Sequence, residues 1–441
     1  MDMTFNSTSN AQTSLVQPTI QITHPVDYED YGTFAVSAHT EIGSRKTQED
    51  RLIIVPKMNP EKYDISFFGV FDGTVGDFSS DTIQKIIIKH LTESPQWEKL
   101  INALENGGDI VTCAYDAMFR MYKSADEELL GLCARFSHDY ASSTSVTVLM
   151  VNQYIVVGHL GDSRVALCSS EEGMLSCKYL THDHKPNNPE EKLRIISSGG
   201  SVEFLCSHSN NPFIRGGDFT LRKARGEQPM QLQYSRAFGG KDLKKYGLSS
   251  DPDITIFERK EKHKCIILAS DGLWDIKTCE DAFKTLFQGH QQGLNPSKYL
   301  IESALNQQRS KAKNSDNITA ISIFLKDQKS TALKVQILGK ADSIKTNLQF
   351  LPSSLALYPL DFQDIWQSSE PVPVDINYSV PAFGARDLAK KLQQLRRSTE
   401  ILKEKVEERD KQERLSKNLE AKADSVLSLL RDRIRYAHRI D

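Results

Sequence analysis

Short acidic motifs recur along the chain where apolar runs end. They are Glu49-Asp50, Asp72-Gly73, Gly161-Asp162, Asp271-Gly272 and Asp316-Asn317. Carboxylates at the exposed ends of buried strands are held rigidly, and several that converge on one cleft repel each other unless cations neutralise them. The sequence has no His or Cys set at zinc spacing, so Mg²⁺ or Mn²⁺ are the expected partners. A single Asp-Gly is more often a turn than a ligand, so the motifs carry weight only together.

The elements that would position these motifs alternate between short strands and amphipathic helices. β-Rich runs cover residues 65–73, 144–162, 265–272 and 317–325, and the second predicts a hairpin that turns at Asn152-Gln153. Apolar residues recur at helical spacing in residues 81–91, 109–130 and 279–287. This mixture predicts an α+β domain over residues 33–326, in which helices cover the sheets.

The acidic motifs belong to a longer ordered series. In chain order it reads GSRKTQED at 43–50, FFGVFDG at 67–73, SSTSV at 142–146, GDSR at 161–164, THDHKP at 181–186, YSRAFGGKDLK at 234–244, LASDGLWD at 268–275 and DNIT at 316–319. In these motifs and their order, the chain resembles the metal-dependent protein phosphatase 2C family across roughly residues 33–326. The resemblance implies a four-layer α-β-β-α sandwich that hydrolyses phosphoserine and phosphothreonine in phosphoproteins, with Mg²⁺ or Mn²⁺ as cofactor.

The resemblance also implies that the acidic residues hold two cations, with a weaker third. Asp72 is expected to bridge the two main ions. Glu49 and the carbonyl oxygen of Gly73 would complete one site, and Asp271 and Asp316 the other. A water shared by the two ions would lose its proton near neutral pH and attack phosphorus in line, without a phosphoenzyme.

Three further roles follow from the same resemblance. Asp50 is expected to bind a water on one of the ions, and Asp162 is expected to hold the third ion together with Asp271. Arg45 is expected to clamp the substrate phosphate through its fork of donors. The expected catalytic residues are therefore Arg45, Asp72 and Asp271, and the expected metal ligands are Glu49, Asp50, Asp72, Gly73, Asp162, Asp271 and Asp316.

One position departs from the family pattern. The family has Asp-Gly-His-Gly-Gly, with the histidine proposed as the acid for the leaving alcohol. This chain reads Asp-Gly-Thr-Val-Gly-Asp at 72–77, as does a protist subfamily that it resembles. Because Thr74 cannot donate a proton near neutral pH, either water or Asp77 protonates the leaving group, or the domain is a weak or inactive pseudophosphatase that acts as a scaffold. All the expected metal ligands are retained, which favours an active enzyme.

Two other features have competing interpretations. His182 and His184 lie in a segment that the family keeps away from the metals, which favours a structural role. Residues 203–233 correspond to a variable flap beside the active site. The basic residues of this flap would either favour the binding of phosphopeptides or face solvent. They are Arg215, Arg222, Lys223 and Arg225.

Composition excludes several other classes of protein. With 441 residues, of which 39% are hydrophobic and 26% charged, and a net charge of −3, the chain is expected to bind neither nucleic acid nor membrane. The first residues lack the pattern of a secretory signal and that of myristoylation. Seven scattered cysteines without CxxC spacing predict reduced thiols and a cytoplasmic location.

The segments outside the central domain differ in composition. Residues 1–32 are polar and predict a disordered N-terminal tail, and residues 327–383, with prolines and isolated aromatics, predict an extended linker. Residues 384–441 have a broken a/d seam and predict a coiled coil, with itself or with a partner. The alternative is a surface helix that packs back on the domain. A coiled coil would tether the phosphatase to an assembly, and a cytoskeletal or ciliary location rests on this helix alone.

Overall fold

The computed structural model describes residues 20–58, 63–204, 211–311 and 314–326. The first strands are β1 Val26–Asp30, β2 Phe34–Glu41, β3 Arg51–Val55, β4 Ile65–Phe71, β5 Gly73–Thr74, β6 Ser142–Ser143, β7 Ser145–Val151, β8 Tyr154–Leu160 and β9 Arg164–Glu171. The later strands are β10 Met174–Tyr179, β11 Gly200–Phe204, β12 Pro212–Gly216, β13 Gln231–Leu232, β14 Phe238–Gly239, β15 Asp253–Glu258, β16 His263–Ala269 and β17 Ile318–Leu325. The helices are α1 Phe78–Thr92, α2 Pro95–Asn106, α3 Ile110–Phe136, α4 Pro189–Ser197, α5 Phe219–Ala224, α6 Lys241–Lys244, α7 Asp271–Trp274, α8 Cys279–Gln291 and α9 Pro296–Ser310.

Two large antiparallel sheets form the centre of the domain. One has five strands in the order β15-β8-β7-β4-β3, and the other has six in the order β1-β2-β17-β16-β9-β10. Apolar side chains of α1, α2 and α3 pack on the outer face of the first sheet, and those of α8 and α9 pack on the outer face of the second. A third apolar cluster joins the inner faces of the two sheets. The predicted four layers, α-β-β-α, are therefore observed.

Alternating side chains in the strands explain why the layers stack. In β4, Phe67 and Phe71 pack with the helices, whereas Phe68 and Val70 pack between the two sheets. All four side chains have no exposed surface. Because each sheet is buried on both faces, its strands read as continuous apolar runs, and this rigid framework fixes the position of each strand end.

The predicted hairpin and helices are confirmed. Strands β7 and β8 pair from Val151 and Tyr154 onward, and Asn152 in the turn has φ of 50°, which asparagine tolerates better than most residues. Ile83 and Ile87 lie on one face of α1 and are buried. Helices α3 and α8 likewise cover the segments with helical spacing.

The domain begins earlier than the sequence predicts. Residues Val26–Asp30 form β1, which pairs with β2, and Ile22 makes a backbone bridge with Ile54. The prediction of a disordered tail over residues 1–32 is therefore wrong for its last part. The reason is that β1 is an edge strand in which only Val26 is buried, so its sequence is almost entirely polar.

Several other predictions fall on parts of the chain outside the described residues. They concern the remainder of the N-terminal tail, the linker at 327–383 and the coiled coil at 384–441. Within the described ranges, no helix has both the length and the hydropathy of a membrane span.

Candidate functional site

Antiparallel pairing brings four of the acidic residues to one end of their strands. Asp72 directly follows β4, and Asp50 directly precedes β3, which pairs with β4. Asp271 follows β16 after one intervening residue, and Asp316 precedes β17, which pairs with β16. The end of a strand and the beginning of its antiparallel neighbour lie at the same edge of a sheet. Each sheet therefore contributes two carboxylates.

Three of these four carboxylates line one cleft with a volume of about 660 Å³, and they are Asp72, Asp271 and Asp316. The predicted site residues that line it are Arg45, Glu49, Asp72, Gly73, Asp162, Asp271 and Asp316. Asp50 does not line the cleft; it is 3% exposed, and its Oδ2 accepts a hydrogen bond of 2.9 Å from Ser270 Oγ. The fold thus brings the predicted residues together from five separate segments of the sequence.

Burial and mutual repulsion raise the pKa values of the central carboxyls. Burial raises the pKa of Asp72 well above its ordinary value, and the charges of Asp50 and Asp271 raise it further. Burial and the charge of Asp162 do the same for the pKa of Asp271. Burial also raises the pKa of Asp50 to about 6, although hydrogen bonds oppose this shift. A divalent cation bound among these carboxylates would neutralise their charge and lower their pKa values again.

The donor set fits a hard divalent cation. The predicted ligands offer carboxylate oxygens and the carbonyl oxygen of Gly73, the donor type that Mg²⁺ and Mn²⁺ prefer. In the described part of the chain, Oδ1 of Asp50 is buried and has no hydrogen-bond partner. An unpaired buried oxygen of this kind indicates an ion or an ordered water beside it. The expected role of Asp50 toward a water on the metal stays a prediction.

The acidic side chains surround the cleft and do not gather at one point. Within the described ranges, no three of them bring ligand atoms within 4.8 Å of one another. Nη2 of Arg45 donates to Oδ2 of Asp316 at 2.5 Å, and Nζ of Lys185 donates to Oδ2 of Asp162 at 2.5 Å. Binding of a cation at either carboxylate therefore competes with one of these ion pairs.

Another group of potential ligands consists of His159, His184 and Asp253, whose ligand atoms lie within 4.8 Å of one another. Nδ1 of His184 accepts a hydrogen bond of 3.1 Å from the Gly161 N–H, so its proton is on Nε2, which lies 3.1 Å from Oδ2 of Asp253. The rings of His159 and His184 stack at 4.5 Å, and the carbonyl oxygen of His182 lies 2.9 Å from Nε2 of His159. Because both ring nitrogens of His184 have partners, the geometry favours the structural role predicted for this segment.

Two glycines allow the acidic loops to approach each other. A Cβ added to Gly73 would lie 2.6 Å from the carbonyl oxygen of Glu49, and one added to Gly43 would lie 2.1 Å from the carbonyl oxygen of Asp316. Gly43 also has φ of 64°, a conformation that residues with a side chain disfavour. A larger residue at either position would push a predicted ligand away from the cleft.

Asn317 braces the loop that carries Arg45 and Glu49. Its Nδ2 donates to the carbonyl oxygens of Ile42 and Thr47 at 2.9 and 3.0 Å, and its Oδ1 accepts a hydrogen bond of 2.8 Å from the Glu49 N–H. Sequence reasoning placed this residue in an acidic motif but assigned it no function. No local sequence pattern indicated this role, because the hydrogen-bond partners of Asn317 are about 270 positions away in the chain.

Thr74, which replaces the usual histidine, contacts a tyrosine that sequence reasoning missed. Oη of Tyr234 donates to Oγ1 of Thr74 at 2.9 Å and lies 2.9 Å from Oγ of Ser142. Tyr234 lines the cleft and is 6% exposed. Burial raises its pKa, and the charge of Asp72 raises it further, so the phenol keeps its proton near neutral pH. The only available signal was its place in the motif at 234–244.

Asp77, the other proton donor considered, is not placed for that task. It forms an ion pair with Arg51 and is not among the residues that line the cleft. The Asp77 carboxylate is therefore paired with the Arg51 guanidinium, outside the cleft.

Arginines of the flap are held in ion pairs. Nη2 of Arg222 donates to Oδ1 of Asp242 at 2.7 Å, and its Nε donates to Oε2 of Glu227 at 2.6 Å. Nη1 of Arg215 donates to Oε2 of Glu203 at 2.8 Å. Neither arginine is among the residues that line the cleft. Both therefore stabilise the flap itself, and their positions do not support a direct role in phosphopeptide binding.

Comparison with known proteins places this fold and site in context. The model of the family "Protein phosphatase 2C" matches residues 34–318. The chain is 46% identical to serine-threonine phosphatase 2C from Toxoplasma gondii, whose crystal structure matches with a TM-score of 0.68 over 70% of this chain and 100% of that one. It is 28% identical over 301 residues to "Probable protein phosphatase 2C 8" of Arabidopsis thaliana, covering 64% of this chain and 76% of that protein. It is 29% identical over 287 residues to "Probable protein phosphatase 2C 52" of Oryza sativa subsp. japonica, covering 65% and 50%.

The matched range contains every predicted site residue and the greater part of both large sheets. The order of the motifs, the four layers and the acidic cleft all agree with that match. The chain therefore belongs to the protein phosphatase 2C family, whose members are metal-dependent protein serine/threonine phosphatases.

Proposed function

We propose that this chain hydrolyses phosphoserine and phosphothreonine in phosphoproteins with the aid of Mg²⁺ or Mn²⁺. The observation that carries the proposal is the convergence of carboxylates from both sheets on one cleft, where burial and repulsion raise the pKa values of Asp72 and Asp271. Such crowding opposes folding unless a positive ligand compensates for it. Divalent cations are the ligands whose charge and preference for oxygen fit this arrangement.

The proposed metal residues are those expected from the sequence, with Asp50 acting through a water on one of the ions. The direct ligands would be Glu49, Asp72, Gly73 through its carbonyl oxygen, Asp162, Asp271 and Asp316. Asp72 would be shared by the two main sites, and Asp162 would contribute to a weaker third site with Asp271. When bound, the cations would activate a water for attack on phosphorus and neutralise charge on the phosphoryl oxygens.

Basic side chains at the cleft would bind the substrate phosphate. Arg45 and Lys185 both line the cleft, and each is paired with a carboxylate that we propose as a cation ligand. A cation at Asp316 would compete for that carboxylate and free the Arg45 guanidinium. The planar fork of an arginine matches two oxygens of a phosphate, which gives orientation as well as charge.

Thr74 and Tyr234 would together protonate the leaving alcohol. Thr74 alone is too weak an acid, so it would act only as a relay: as the phosphorus–oxygen bond breaks, its hydroxyl would pass a proton to the departing serine or threonine oxygen while the Tyr234 phenol gives its own proton to Thr74 in the same step. Their hydroxyl oxygens lie 2.9 Å apart, which suits this transfer. Solvent would then return a proton to Tyr234. The pair supports an active enzyme despite the missing histidine.

Metal removal tests the proposed activity directly. Purified protein is expected to release phosphate from a phosphothreonine peptide in Mn²⁺, to lose this activity in excess EDTA, and to regain it when Mn²⁺ is restored. The reason is that the proposed nucleophile is a water activated by the metal ions, and no side chain of the cleft acts in its place. Hydrolysis that continues at the same rate in EDTA would exclude the metal-dependent mechanism.

Replacement of Arg45 by alanine is expected to raise KM for a phosphopeptide about tenfold, with a smaller change in kcat. A charge-assisted hydrogen bond to phosphate is worth about 1.5 kcal/mol, which corresponds to about a factor of ten. Arg120→Ala, on the surface of α3, is the matched control and should leave KM unchanged. An unchanged KM in Arg45→Ala would show that this arginine does not bind the phosphate.

Thr74 is the observation that favours the second candidate function, a scaffold that binds metal without turnover. Threonine is a far weaker proton donor than histidine near neutral pH. Mn²⁺ binding without hydrolysis of any phosphopeptide would support the scaffold, and turnover would exclude it.

Residues 384–441 lie outside the described ranges, and we propose that they form a coiled coil. Through this coiled coil, the active phosphatase or the inactive scaffold would be tethered to an assembly.

A further inference from the structure

Four cysteines that play no part in the proposed catalysis lie close together on the outer face of the six-stranded sheet. In the strand register, Cys177 on β10 is opposite Cys168 on β9, and Cys168 is opposite Cys265 on β16. Cys279 is the first residue of α8 and packs in the same apolar cluster. None of the four forms a disulfide.

The pair Cys168 and Cys177 has the geometry that a cross-strand disulfide needs. Strands β9 and β10 are joined by the two-residue turn Glu172-Gly173, so their closing pair, Glu171 and Met174, exchanges backbone hydrogen bonds. Hydrogen-bonded and non-hydrogen-bonded pairs then alternate, which makes Cys168 and Cys177 a non-hydrogen-bonded pair. In such pairs the Cα atoms are about 4.5 Å apart, within the range of disulfides.

The two sulfur atoms already approach each other. Sγ of Cys177 lies 3.5 Å from Sγ of Cys168. The bond in a disulfide is about 2.0 Å long, so the two sulfurs have only a short distance left to close. Register and sulfur separation therefore both favour this pair.

One sulfur of the pair can be reached from solvent and the other cannot. Cys177 is half-buried and lines a pocket of about 380 Å³, whose wall also includes Cys279 and Trp274. Cys168 is fully buried. A small oxidant in this pocket would meet Cys177 first and would leave Cys168 to react from within the protein.

The thiols also differ in acidity. Hydrogen bonding with Cys168 lowers the pKa of the Cys177 thiol most, and hydrogen bonding with Cys279 lowers it further. The same contacts raise the pKa of Cys168 and that of Cys279. Since the thiolate is the nucleophile, Cys177 is the thiol prepared to attack an oxidant.

We propose that Cys177 and Cys168 are a reversible oxidation site, at which a hydroperoxide converts the two thiols into a cross-strand disulfide. The Cys177 thiolate attacks one peroxide oxygen, which breaks the O–O bond, gives cysteine sulfenic acid and releases hydroxide, or an alkoxide from an organic peroxide. The sulfur of Cys168 then attacks the sulfenic sulfur and releases water once a proton is transferred. The two sulfurs together lose two electrons and the peroxide gains them. A dithiol reductant reverses the reaction.

Hydrogen peroxide applied to the full-length protein tests this proposal. After brief treatment, free thiols are blocked with N-ethylmaleimide, and the protein is digested without reductant and analysed by mass spectrometry. We expect a peptide that joins Cys168 to Cys177, and its loss after treatment with dithiothreitol. Cys113 is the internal control, because it is also half-buried but lies in α3, outside this cluster. Under the same conditions Cys113 should remain unoxidised and be recovered as the N-ethylmaleimide adduct.

Two variants sharpen the result. In Cys168→Ser, the sulfenic acid on Cys177 should persist and react with dimedone, whereas in Cys177→Ser no oxidation of Cys168 should occur at the same dose. A linkage between Cys177 and Cys279 as the main product would overturn the assignment of Cys168. Oxidation of Cys177 no faster than that of Cys113 would overturn the proposal as a whole.

Discussion

Replacement of Asp72 by asparagine is expected to reduce Mn²⁺-dependent phosphatase turnover by about 10³-fold or more. Asp72 follows β4, lines the cleft and is the carboxylate that we propose both main cations share. Asparagine keeps the shape but loses the charge. Metal catalysis is worth several kcal/mol of transition-state stabilisation, and each 1.4 kcal/mol is about a factor of ten. The measurement is kcat on a phosphothreonine peptide at saturating Mn²⁺.

The same strand offers a matched control. Asp64 directly precedes β4 at its opposite end and is exposed, so Asp64→Asn should retain full activity. Without metal, Asp72→Asn should unfold at the same temperature as the wild type or higher. The raised pKa of Asp72 means that its ionised form opposes folding at neutral pH, and asparagine removes that charge. Turnover in Asp72→Asn close to that of Asp64→Asn would contradict the shared-ligand role.

Replacement of Tyr234 by phenylalanine is expected to lower kcat on a phosphoserine peptide by about 10²-fold, with little change in KM. The phenol hydrogen-bonds Thr74 in the cleft, and general acid catalysis typically contributes about 10²- to 10⁴-fold. The loss should be much smaller with an aryl phosphate, because a phenolate of low pKa leaves without a proton. The comparison of the two substrates isolates proton transfer from a general disturbance of the site.

Tyr122→Phe provides the control for the loss of a buried hydroxyl. The Tyr122 phenol is fully buried and hydrogen-bonds Thr147 at 2.9 Å, but it packs in the apolar cluster between α1–α3 and the five-stranded sheet and does not line the cleft. Tyr122→Phe should lower the free energy of unfolding about as much as Tyr234→Phe does, without an effect on kcat. If Tyr234→Phe slowed both substrates equally, the tyrosine would position the site without protonating the leaving group.

The architecture and the acidic cleft follow from local sequence patterns. A strand that is buried on both faces, such as Ile65–Phe71, reads as an unbroken apolar run, and an acidic residue at its end marks the edge of the sheet. Asp72 and Asp271 could therefore be placed at strand ends before the structure was known. The resemblance in motif order then indicated which acidic residues belong together.

Other parts of the site depend on contacts that leave no local pattern. Thr74 and Tyr234 are separated by 160 positions, and their hydrogen bond exists only because β5 and the loop before β14 meet at the cleft. The brace formed by Asn317 has the same origin. The strand Val26–Asp30 was missed because an edge strand needs only one buried side chain. In each case, long-range pairing decides the outcome and composition does not reveal it.

Calorimetric titration of Mn²⁺ into the metal-free protein, wild type beside Asp72→Asn and Asp64→Asn, tests the proposed role of the cleft most directly. Wild type and Asp64→Asn are expected to bind two ions per chain, with a corresponding rise in unfolding temperature, and Asp72→Asn should lose the tight binding of both. Equal stoichiometry and affinity in all three proteins would show that the ions do not share Asp72, and the catalytic role proposed for the cleft would then be wrong.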